Sequence, residues 1–186
     1  MKLYCATSNP GKLREFRQAA QCEVEIEPIF VEAPEETGST FEENATAKAL
    51  YYSRHAPGRI FADDSGLEVD ALGGEPGVHS ARFAGPEADS EMNNRLLIAR
   101  LQGVENRKAR FVCVVALAEQ GRLIGTFRGE VEGRIVDEGR GTNGFGYDPY
   151  FYSEPFGCTL GEADAERKFE VSHRGRALRA MLATTA

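Results

Sequence analysis

Hydrophobic and polar positions recur along the chain with two periods, one typical of strands and one typical of helices. Between Glu23 and Phe30, for example, Val24 and Ile26 stand two residues apart, which predicts a strand with both side chains facing inward. Strands are predicted at residues 2–6, 23–30, 59–62, 110–118 and 122–136. Helices are predicted at residues 10–20, 40–55, 90–101 and 172–182.

Local signals show how these elements begin, end and face the core. In the first helix we expect the apolar side chains to be buried: Leu13, Phe16 and Ala20. We expect its charged side chains to face solvent: Lys12, Arg14, Glu15 and Arg17. Thr40 and Glu43 have the spacing of a capping box, and Gln120-Gly121 is a two-residue turn between two long strands. The interleaved elements favour an α/β fold with a mixed sheet, in which the long hairpin builds a second lobe and a ligand cleft lies between the lobes.

Length and composition are those of an ordinary globular domain. The chain has 186 residues, of which 41% are hydrophobic and 27% are charged. We therefore expect one domain over residues 1–186, in two lobes and without an independent linker. The longest apolar run, 111–118, is too short to cross a bilayer, and the N-terminus lacks the apolar stretch of a signal peptide. These features predict a cytoplasmic protein that does not bind a membrane.

The net charge and the cysteine spacing indicate which classes of ligand and which thiol state to expect. The formal net charge is −7, from 22 basic and 29 acidic residues. Proteins that bind a nucleic-acid backbone usually carry a basic excess, so we predict no nucleic-acid partner, although a small anionic ligand could bind where basic residues converge. The cysteines show neither C-x-x-C pairs nor zinc spacing, which predicts reduced and mostly buried thiols. They are Cys5, Cys22, Cys113 and Cys158.

The first candidate site is the segment Thr7-Ser8-Asn9-Pro10-Gly11-Lys12, between the first strand and the first helix. Unpaired backbone N–H groups and the helix dipole at such a junction attract anions. Lys12 adds a positive charge suited to a phosphate. The same residues also suit an ordinary helix start, with Asn9 as the N-cap and Pro10 at the first helical position. Both interpretations stay open on these residues alone.

The second candidate site is the acidic pair Asp63-Asp64, which follows a buried apolar strand. Mg²⁺ prefers a few carboxylates together with substrate phosphate oxygens. Carboxylates at the end of a strand, in a chain that also carries a phosphate-type loop, therefore suggest a magnesium site. A polar turn without a ligand is the alternative interpretation.

Two further segments combine glycine, aromatic and basic residues. In Gly144-Phe145-Gly146-Tyr147-Asp148-Pro149 an aromatic ring could stack on a base, and the carboxylate could accept from ring N–H groups. A glycine-rich surface loop with a core phenylalanine is the alternative. Lys168 precedes the last predicted helix, and His173 and Arg174 lie in its first turn, where cations oppose the helix dipole. That placement favours a functional role over simple snorkelling of surface side chains.

Six motifs, taken in their order along nearly the whole chain, resemble one family. The family is that of the inosine triphosphate pyrophosphatases, also called non-canonical purine NTP or dITP/XTP pyrophosphatases. The motifs are Thr7-Ser8-Asn9-x-x-Lys12, Phe41-x-Glu43-Asn44-Ala45-x-x-Lys48-Ala49, Ala62-Asp63-Asp64-Ser65-Gly66-Leu67, Gly73-Gly74-x-Pro76-Gly77-x-x-Ser80-Ala81-Arg82, Phe145-Gly146-Tyr147-Asp148-Pro149 and Ser172-His173-Arg174-Gly175.

The resemblance implies a fold, an activity and a set of site residues. The fold would be an elongated mixed β-sheet in two lobes with flanking helices and a central substrate cleft, usually in a homodimer. The activity would be Mg²⁺-dependent hydrolysis of ITP, dITP and XTP to the monophosphate and pyrophosphate, which removes deaminated purines from the nucleotide pool. Asp64 would be the catalytic base and a metal ligand, with Glu36 as a second metal ligand. The substrate would contact Thr7, Ser8, Asn9, Pro10, Gly11, Lys12, Lys48, Ser65, Phe145, Gly146, Tyr147, Asp148, Lys168, His173 and Arg174.

Two other functions compete with this one. A pyrophosphatase for modified pyrimidine nucleotides is possible, although His173-Arg174 together with the Phe145 loop favours a purine. A non-catalytic nucleotide-binding module would need a broken acidic site, whereas Glu36, Asp63 and Asp64 are all present. Turnover with Mg²⁺ separates an enzyme from a binding module.

Overall fold

The computed structural model describes residues 2–20, 24–32 and 34–184, and its elements follow the predicted alternation of strands and helices. The strands are β1 (Lys2–Ala6), β2 (Glu25–Pro28), β3 (Ile60–Val69), β4 (Lys108–Glu119), β5 (Arg122–Ile135), β6 (Phe151–Ser153) and β7 (Cys158–Thr159). The helices are α1 (Pro10–Ala19), α2 (Phe41–Tyr52), α3 (Ser90–Arg100), α4 (Ala165–Val171) and α5 (His173–Leu182). Short 3₁₀ turns lie at Asp70–Leu72, Gly77–Arg82 and Asp148–Tyr150.

The strands of the described residues form a seven-stranded sheet in the order β2-β1-β3-β4-β5-β6-β7. β1 pairs in parallel with β2 and with β3, whereas β6 pairs antiparallel with β5 and with β7. Gln120 and Gly121 both have positive φ, 50° and 78°, as a two-residue hairpin turn between twisted strands requires. The predicted α/β class and mixed sheet with flanking helices are confirmed.

Helices α1 and α5 pack together against one face of β1, β3 and β4 in an apolar core. Leu3, Phe61, Phe16 and Leu178 are all fully buried there. The rings of Phe16 and Phe61 meet edge to face with centroids 5.1 Å apart, a favourable aromatic geometry. Successive strand residues point to opposite faces of the sheet. Asp63 therefore lies on the same face of β3 as Phe61, and Asp64 lies on the opposite face.

Contacts divide the chain into two compact units, each assembled from separate segments. Unit 1 comprises Met1–Asp64, Cys113–Glu130 and Phe169–Ala186, and unit 2 comprises Ser65–Val112 and Val131–Lys168. The end of the β4–β5 hairpin belongs to unit 1, and the base of the hairpin belongs to unit 2. Each of β3, β4 and β5 contributes residues to both units.

Two local predictions differ from the structure, and one short helix was not predicted. β3 continues to Val69, so Asp63 and Asp64 lie inside a strand and not in a turn after it. Lys168 precedes the last helix, as predicted, and it lies within α4, which the sequence did not indicate. Glu15 faces the core and is only 4% exposed, because it pairs there with a buried arginine.

Three of the four cysteines lie in the described part of the chain. Cys5 and Cys113 are buried, Cys158 is half-buried, and all three are unpaired thiols, as predicted. Cys22 lies outside the described residues. Within the described part of the chain, no helix has the length and apolar character needed to cross a membrane.

Candidate active site

Two consecutive carboxylates on β3 face different helices of unit 1. Asp63 Oδ2 lies 2.8 Å from Lys12 Nζ of α1. Asp64 Oδ2 accepts a hydrogen bond of 2.9 Å from Asn44 Nδ2 of α2. The alternation of side chains along a strand gives the pair this division, and both carboxylates are buried.

The segment before α1 folds as a capped helix start. Asn9 Oδ1 accepts from the backbone N–H of Gly11 at 2.8 Å and of Lys12 at 3.2 Å, and Pro10 occupies the first helical position. Thr7 Oγ1 accepts from the N–H of Asn9 at 3.2 Å. The helix-start interpretation is therefore correct. It is compatible with anion binding, because the dipole and the lysine remain at the same helix end.

Opposite shifts in pKa distinguish the two aspartates. Burial alone would raise the pKa of Asp63, but Lys12, Lys48 and Arg174 lower it below its ordinary value. Burial raises the pKa of Asp64, and the opposing effects of Lys48 and Asn44 do not offset it. The lowered pKa favours the anionic form of Asp63, and the raised pKa makes Asp64 accept a proton more readily than Asp63 does. Such divergence between neighbouring carboxyls is a mark of acid–base sites.

Lys48 connects Asp64 to the acidic loop before α2. Its Nζ lies 2.5 Å from Glu36 Oε1 and 3.9 Å from Asp64 Oδ1. Burial would lower the pKa of Lys48, but Asp63, Asp64 and Glu36 raise it above its ordinary value, so the ammonium stays charged. The predicted residues Glu36, Lys48 and Asp64 therefore lie together in unit 1.

The basic residues at the start of α5 are buried and do not snorkel to the surface. Ser172 caps this helix by accepting from the N–H of Gly175 at 3.1 Å. Arg174 Nη1 lies 2.8 Å from Glu15 Oε2, and both side chains are more than nine-tenths buried. His173 is 1% exposed. The sequence analysis missed Glu15 because the spacing of residues in this helix predicted that its side chain faces solvent. Its position next to Phe16, an apolar residue expected in the core, was the signal in the sequence that could have indicated burial.

In unit 2 a second buried ion pair organises the Phe145 loop. Lys168 Nζ lies 2.7 Å from Asp148 Oδ2, which also accepts from the N–H of Phe145 at 2.8 Å. The ammonium of Lys168 lies 5.7 Å from the centroid of the Phe145 ring. Gly144 has φ +75°, and a Cβ there would collide with the Asp148 carboxylate. The lysine, the aspartate and the aromatic ring thus form one ordered cluster.

The other residues expected around this loop have distinct surroundings. Tyr147 is buried, and its hydroxyl donates to the carbonyl oxygen of Ser80 at 2.7 Å, which is the contact of a packing residue. Burial raises its pKa above the ordinary tyrosine value. Asn94 Nδ2 donates to the carbonyl of Gly146 at 3.0 Å and holds the loop against α3, a role the sequence did not suggest. Ser65 is half-buried and directly follows Asp64 in β3.

Glu36 and Asp64 could supply part of the ligands of a metal ion, with water and substrate oxygens supplying the rest. Among residues 2–20, 24–32 and 34–184, no group of three or more His, Cys, Asp or Glu side chains could hold a metal ion. Glu36 and Asp64 supply two carboxylates that Lys48 connects. Mg²⁺ typically takes one or two carboxylates and completes its coordination with water and phosphate oxygens, so this donor set fits such an ion.

The fold and this site define an α/β protein with buried carboxylates and lysines beside a helix N-terminus, an arrangement suited to a phosphate ligand. A family model described as the Ham1 family matches residues 3–184. The chain therefore belongs to the Ham1 family.

Individual relatives agree with this assignment over nearly their whole length. A dITP/XTP pyrophosphatase of Acidobacterium capsulatum is 51% identical over 197 residues, which cover 98% of this chain and 97% of the relative. The structure of a HAM1 protein from Coxiella burnetii superposes with a TM-score of 0.88 at 37% identity and covers 100% of both chains. A nucleoside-triphosphatase / dITP/XTP pyrophosphatase from Mycobacterium abscessus gives a TM-score of 0.75 at 42% identity, over 98% of this chain and 99% of that one. The resemblance predicted from the motifs is confirmed.

Proposed function

We propose that the protein hydrolyses the deaminated purine triphosphates ITP, dITP and XTP to the nucleoside monophosphate and pyrophosphate. The names of the relatives support the substrate class. The observation that carries the proposal is the buried carboxylate pair Asp63 and Asp64, with Lys12 Nζ 2.8 Å from Asp63 and Lys48 Nζ 3.9 Å from Asp64. The reaction would remove deaminated purines from the nucleotide pool.

Phosphate binding is assigned to the start of α1 and to the lysines of unit 1. The helix N-terminus and the side chains of Thr7, Ser8 and Asn9 offer hydrogen-bond donors, and Lys12 and Lys48 offer charge. Asp63 holds Lys12 in place at 2.8 Å, so the ammonium is oriented before substrate arrives. This arrangement supports binding of a highly charged triphosphate.

Glu36 and Asp64 are the residues that would hold Mg²⁺. When bound, this ion would neutralise phosphate charge and lower the pKa of a coordinated water. In the absence of the metal ion, the Lys48 ammonium lies near both carboxylates and holds Glu36 close to Asp64.

Asp64 is the proposed general base. Its carboxylate lies on β3 beside Asn44 and Lys48, where it can accept a proton from the attacking water. The water oxygen forms the new bond to the α-phosphorus as the bond to the bridging oxygen breaks, and pyrophosphate leaves. The proton of the water passes to Asp64, and Lys12 stabilises the charge on the phosphates.

In unit 2, substrate binding is assigned to the Phe145–Asp148 loop and Lys168, and the Phe145 ring offers a stacking surface for a base. In unit 1, substrate binding is assigned to His173 and Arg174, and Arg174 would donate to the 6-oxo group of hypoxanthine or xanthine. A 6-amino group would leave such donors unpaired, which costs enough free energy to reject adenine. Glu15 supports this role, because its carboxylate fixes the Arg174 guanidinium at 2.8 Å.

Cellular location and assembly belong to the same proposal. The reduced thiols Cys5, Cys113 and Cys158 are consistent with the cytoplasm, where the nucleotide pool lies. The resemblance of the motifs supports a homodimer. Sedimentation equilibrium should give twice the chain mass, and a mass of one chain would contradict the dimer.

The experiment that tests the function compares Asp64→Asn with wild type on ITP and Mg²⁺. We expect pyrophosphate release to fall about 100- to 10,000-fold, the usual contribution of general base catalysis, while ITP binding measured by calorimetry persists. Asp137→Asn is the control, since Asp137 is an exposed carboxylate paired with Arg107 at 2.7 Å. Binding of ITP by wild type without pyrophosphate release would favour a binding module and contradict the proposal.

A further inference from the structure

Asn44 is a buried amide that joins two parts of the proposed active site. It lies in the first turn of α2 and is 2% exposed. Its Oδ1 accepts from the backbone N–H of Gly38 at 2.8 Å, and its Nδ2 donates to Asp64 Oδ2 at 2.9 Å. One side chain therefore contacts both the loop before α2 and the carboxylate of β3.

Lys48 makes a parallel connection one helical turn later. Residues 44 and 48 are four positions apart and share one face of α2. Lys48 Nζ contacts Glu36 Oε1 at 2.5 Å and lies 3.9 Å from Asp64 Oδ1. Thus Asn44 holds the backbone of the loop at Gly38, and Lys48 holds its side chain at Glu36. Since both side chains also contact Asp64, the loop, α2 and β3 are connected to one another at this point.

The fit between Gly38 and Asn44 leaves no space for a larger residue. A Cβ at position 38 would lie 2.5 Å from Asn44 Oδ1 and 2.8 Å from Glu43 Cβ. The hydrogen bond at 2.8 Å therefore depends on glycine at this position. A methyl group there would push the loop, and Glu36 with it, away from α2 without removing any side chain of the site.

We propose that Asn44 is a positioning residue that fixes the Asp64 carboxylate and the Glu36 loop relative to each other. The inference rests on the proposed function, in which Asp64 and Glu36 act together on the metal-bound triphosphate. The donor Nδ2 sets the rotation of the carboxylate, and the acceptor Oδ1 sets the loop backbone. Partners of metal-ligating and catalytic groups commonly contribute in this way, and their loss weakens metal affinity or activity about 10- to 100-fold.

Two substitutions perturb the connection from its two sides. Asn44→Ala removes both hydrogen bonds, and Gly38→Ala displaces only the loop. We expect each to lower kcat for ITP, by about 10- to 100-fold for Asn44→Ala, with KM much less affected. Since both variants break the same connection, the double variant should lose less than the product of the two single losses.

Asn93→Ala is the matched control for a structural effect. Asn93 is also a buried helix asparagine with two hydrogen bonds, from Ala84 N–H at 2.8 Å and to the Ala81 carbonyl at 3.0 Å, and it lies in unit 2. We expect its loss to lower the melting temperature as much as Asn44→Ala does, with kcat unchanged. A kcat for Asn44→Ala equal to that of wild type, with both variants similarly destabilised, would reduce Asn44 to a structural role and overturn the proposal.

Binding of Mn²⁺, followed by electron paramagnetic resonance without nucleotide, separates this inference from the proposed function. We expect Asn44→Ala and Gly38→Ala to weaken Mn²⁺ binding, and Asn93→Ala to leave it unchanged. If wild type releases no pyrophosphate from ITP, the proposed function fails, while the Mn²⁺ titration still decides whether Asn44 positions the carboxylates. Equal Mn²⁺ affinity in wild type and Asn44→Ala would contradict the positioning role.

Discussion

Asp63 and Asp64 are adjacent residues of one chemical type, and their surroundings give them different properties. Asp63 contacts Lys12 of α1, and Asp64 contacts Asn44 of α2. The alternation of β3 places them on opposite faces, so one strand carries side by side a carboxyl with a lowered pKa and a carboxyl with a raised pKa. Their opposite pKa shifts predict opposite effects on stability.

In metal-free protein, Asp63→Asn and Asp64→Asn should change stability with opposite signs at neutral pH. The folded pKa of Asp63 lies below its ordinary value, so its contribution to stability is present at neutral pH and is lost as pH falls through that pKa. The folded pKa of Asp64 is raised, so its ionised form costs stability at neutral pH, and the cost disappears as pH falls below the ordinary value of 3.8. Melting in EDTA should show Asp63→Asn less stable and Asp64→Asn more stable than wild type.

Repeating the melting measurements at lower pH provides a control for the role of charge. Both differences from wild type should shrink on acidification, because all three proteins then carry a neutral group at the substituted position. Two variants destabilised equally at pH 7 would show that the strand geometry does not separate the two carboxylates as described.

The sequence predicted several residues of the candidate site, but it did not predict the buried residues that hydrogen-bond to them. Glu36, Lys48 and Asp64 were expected from the resemblance, and they lie together. Asn44 and Glu15 received no role, because their partners lie 20 and 159 residues further along the chain. Such contacts depend on tertiary packing, which periodicity does not encode.

At the scale of elements, the approach of α5 to β5 depends on one glycine. A Cβ at Gly129 would lie closer than 3.0 Å to the His173 carbonyl oxygen and the Ala177 nitrogen. These are backbone atoms of α5 that cannot move independently, so Gly129→Ala should displace the helix start that carries His173 and Arg174. We expect a loss of about 1 to 3 kcal/mol in unfolding free energy, typical of overpacking, and reduced activity on ITP.

Gly58→Ala is the matched control for this substitution. The nearest atom to a Cβ at Gly58 is Tyr4 Cε2 at 3.7 Å, an ordinary contact. Alanine there should leave activity unchanged and stability equal or slightly higher, since it restricts the unfolded chain. Chemical denaturation of both variants provides the comparison, and equal stability of Gly129→Ala and wild type would exclude the close packing of α5 on β5.

Elements with a long, clear period were predicted well, and short or buried ones were not. The sequence placed β1, α1, α3 and the β4–β5 hairpin to within about two residues. It ended β3 too early, because polar residues normally mark a turn, whereas here each aspartate finds a buried partner and the strand continues. The two-residue β7 and the seven-residue α4 are too short to establish a period.

At the scale of the whole molecule, each compact unit is built from separate chain segments. β3, β4 and β5 pass from one unit into the other, so neither unit corresponds to a continuous stretch of sequence. We expect the chain to unfold in one cooperative step, with equal calorimetric and van't Hoff enthalpies. Two resolved transitions in scanning calorimetry would contradict the prediction of a single domain.

The substrate preference of the wild-type protein tests the proposed function most directly. Pyrophosphate release with Mg²⁺ should be measured for ITP, dITP, XTP, GTP, ATP and dUTP under the same conditions. We predict kcat/KM for ITP, dITP and XTP well above the values for the other three nucleotides. Preference for dUTP would identify a pyrimidine enzyme, and release from none of the six nucleotides would contradict the catalytic role of the Asp64 site.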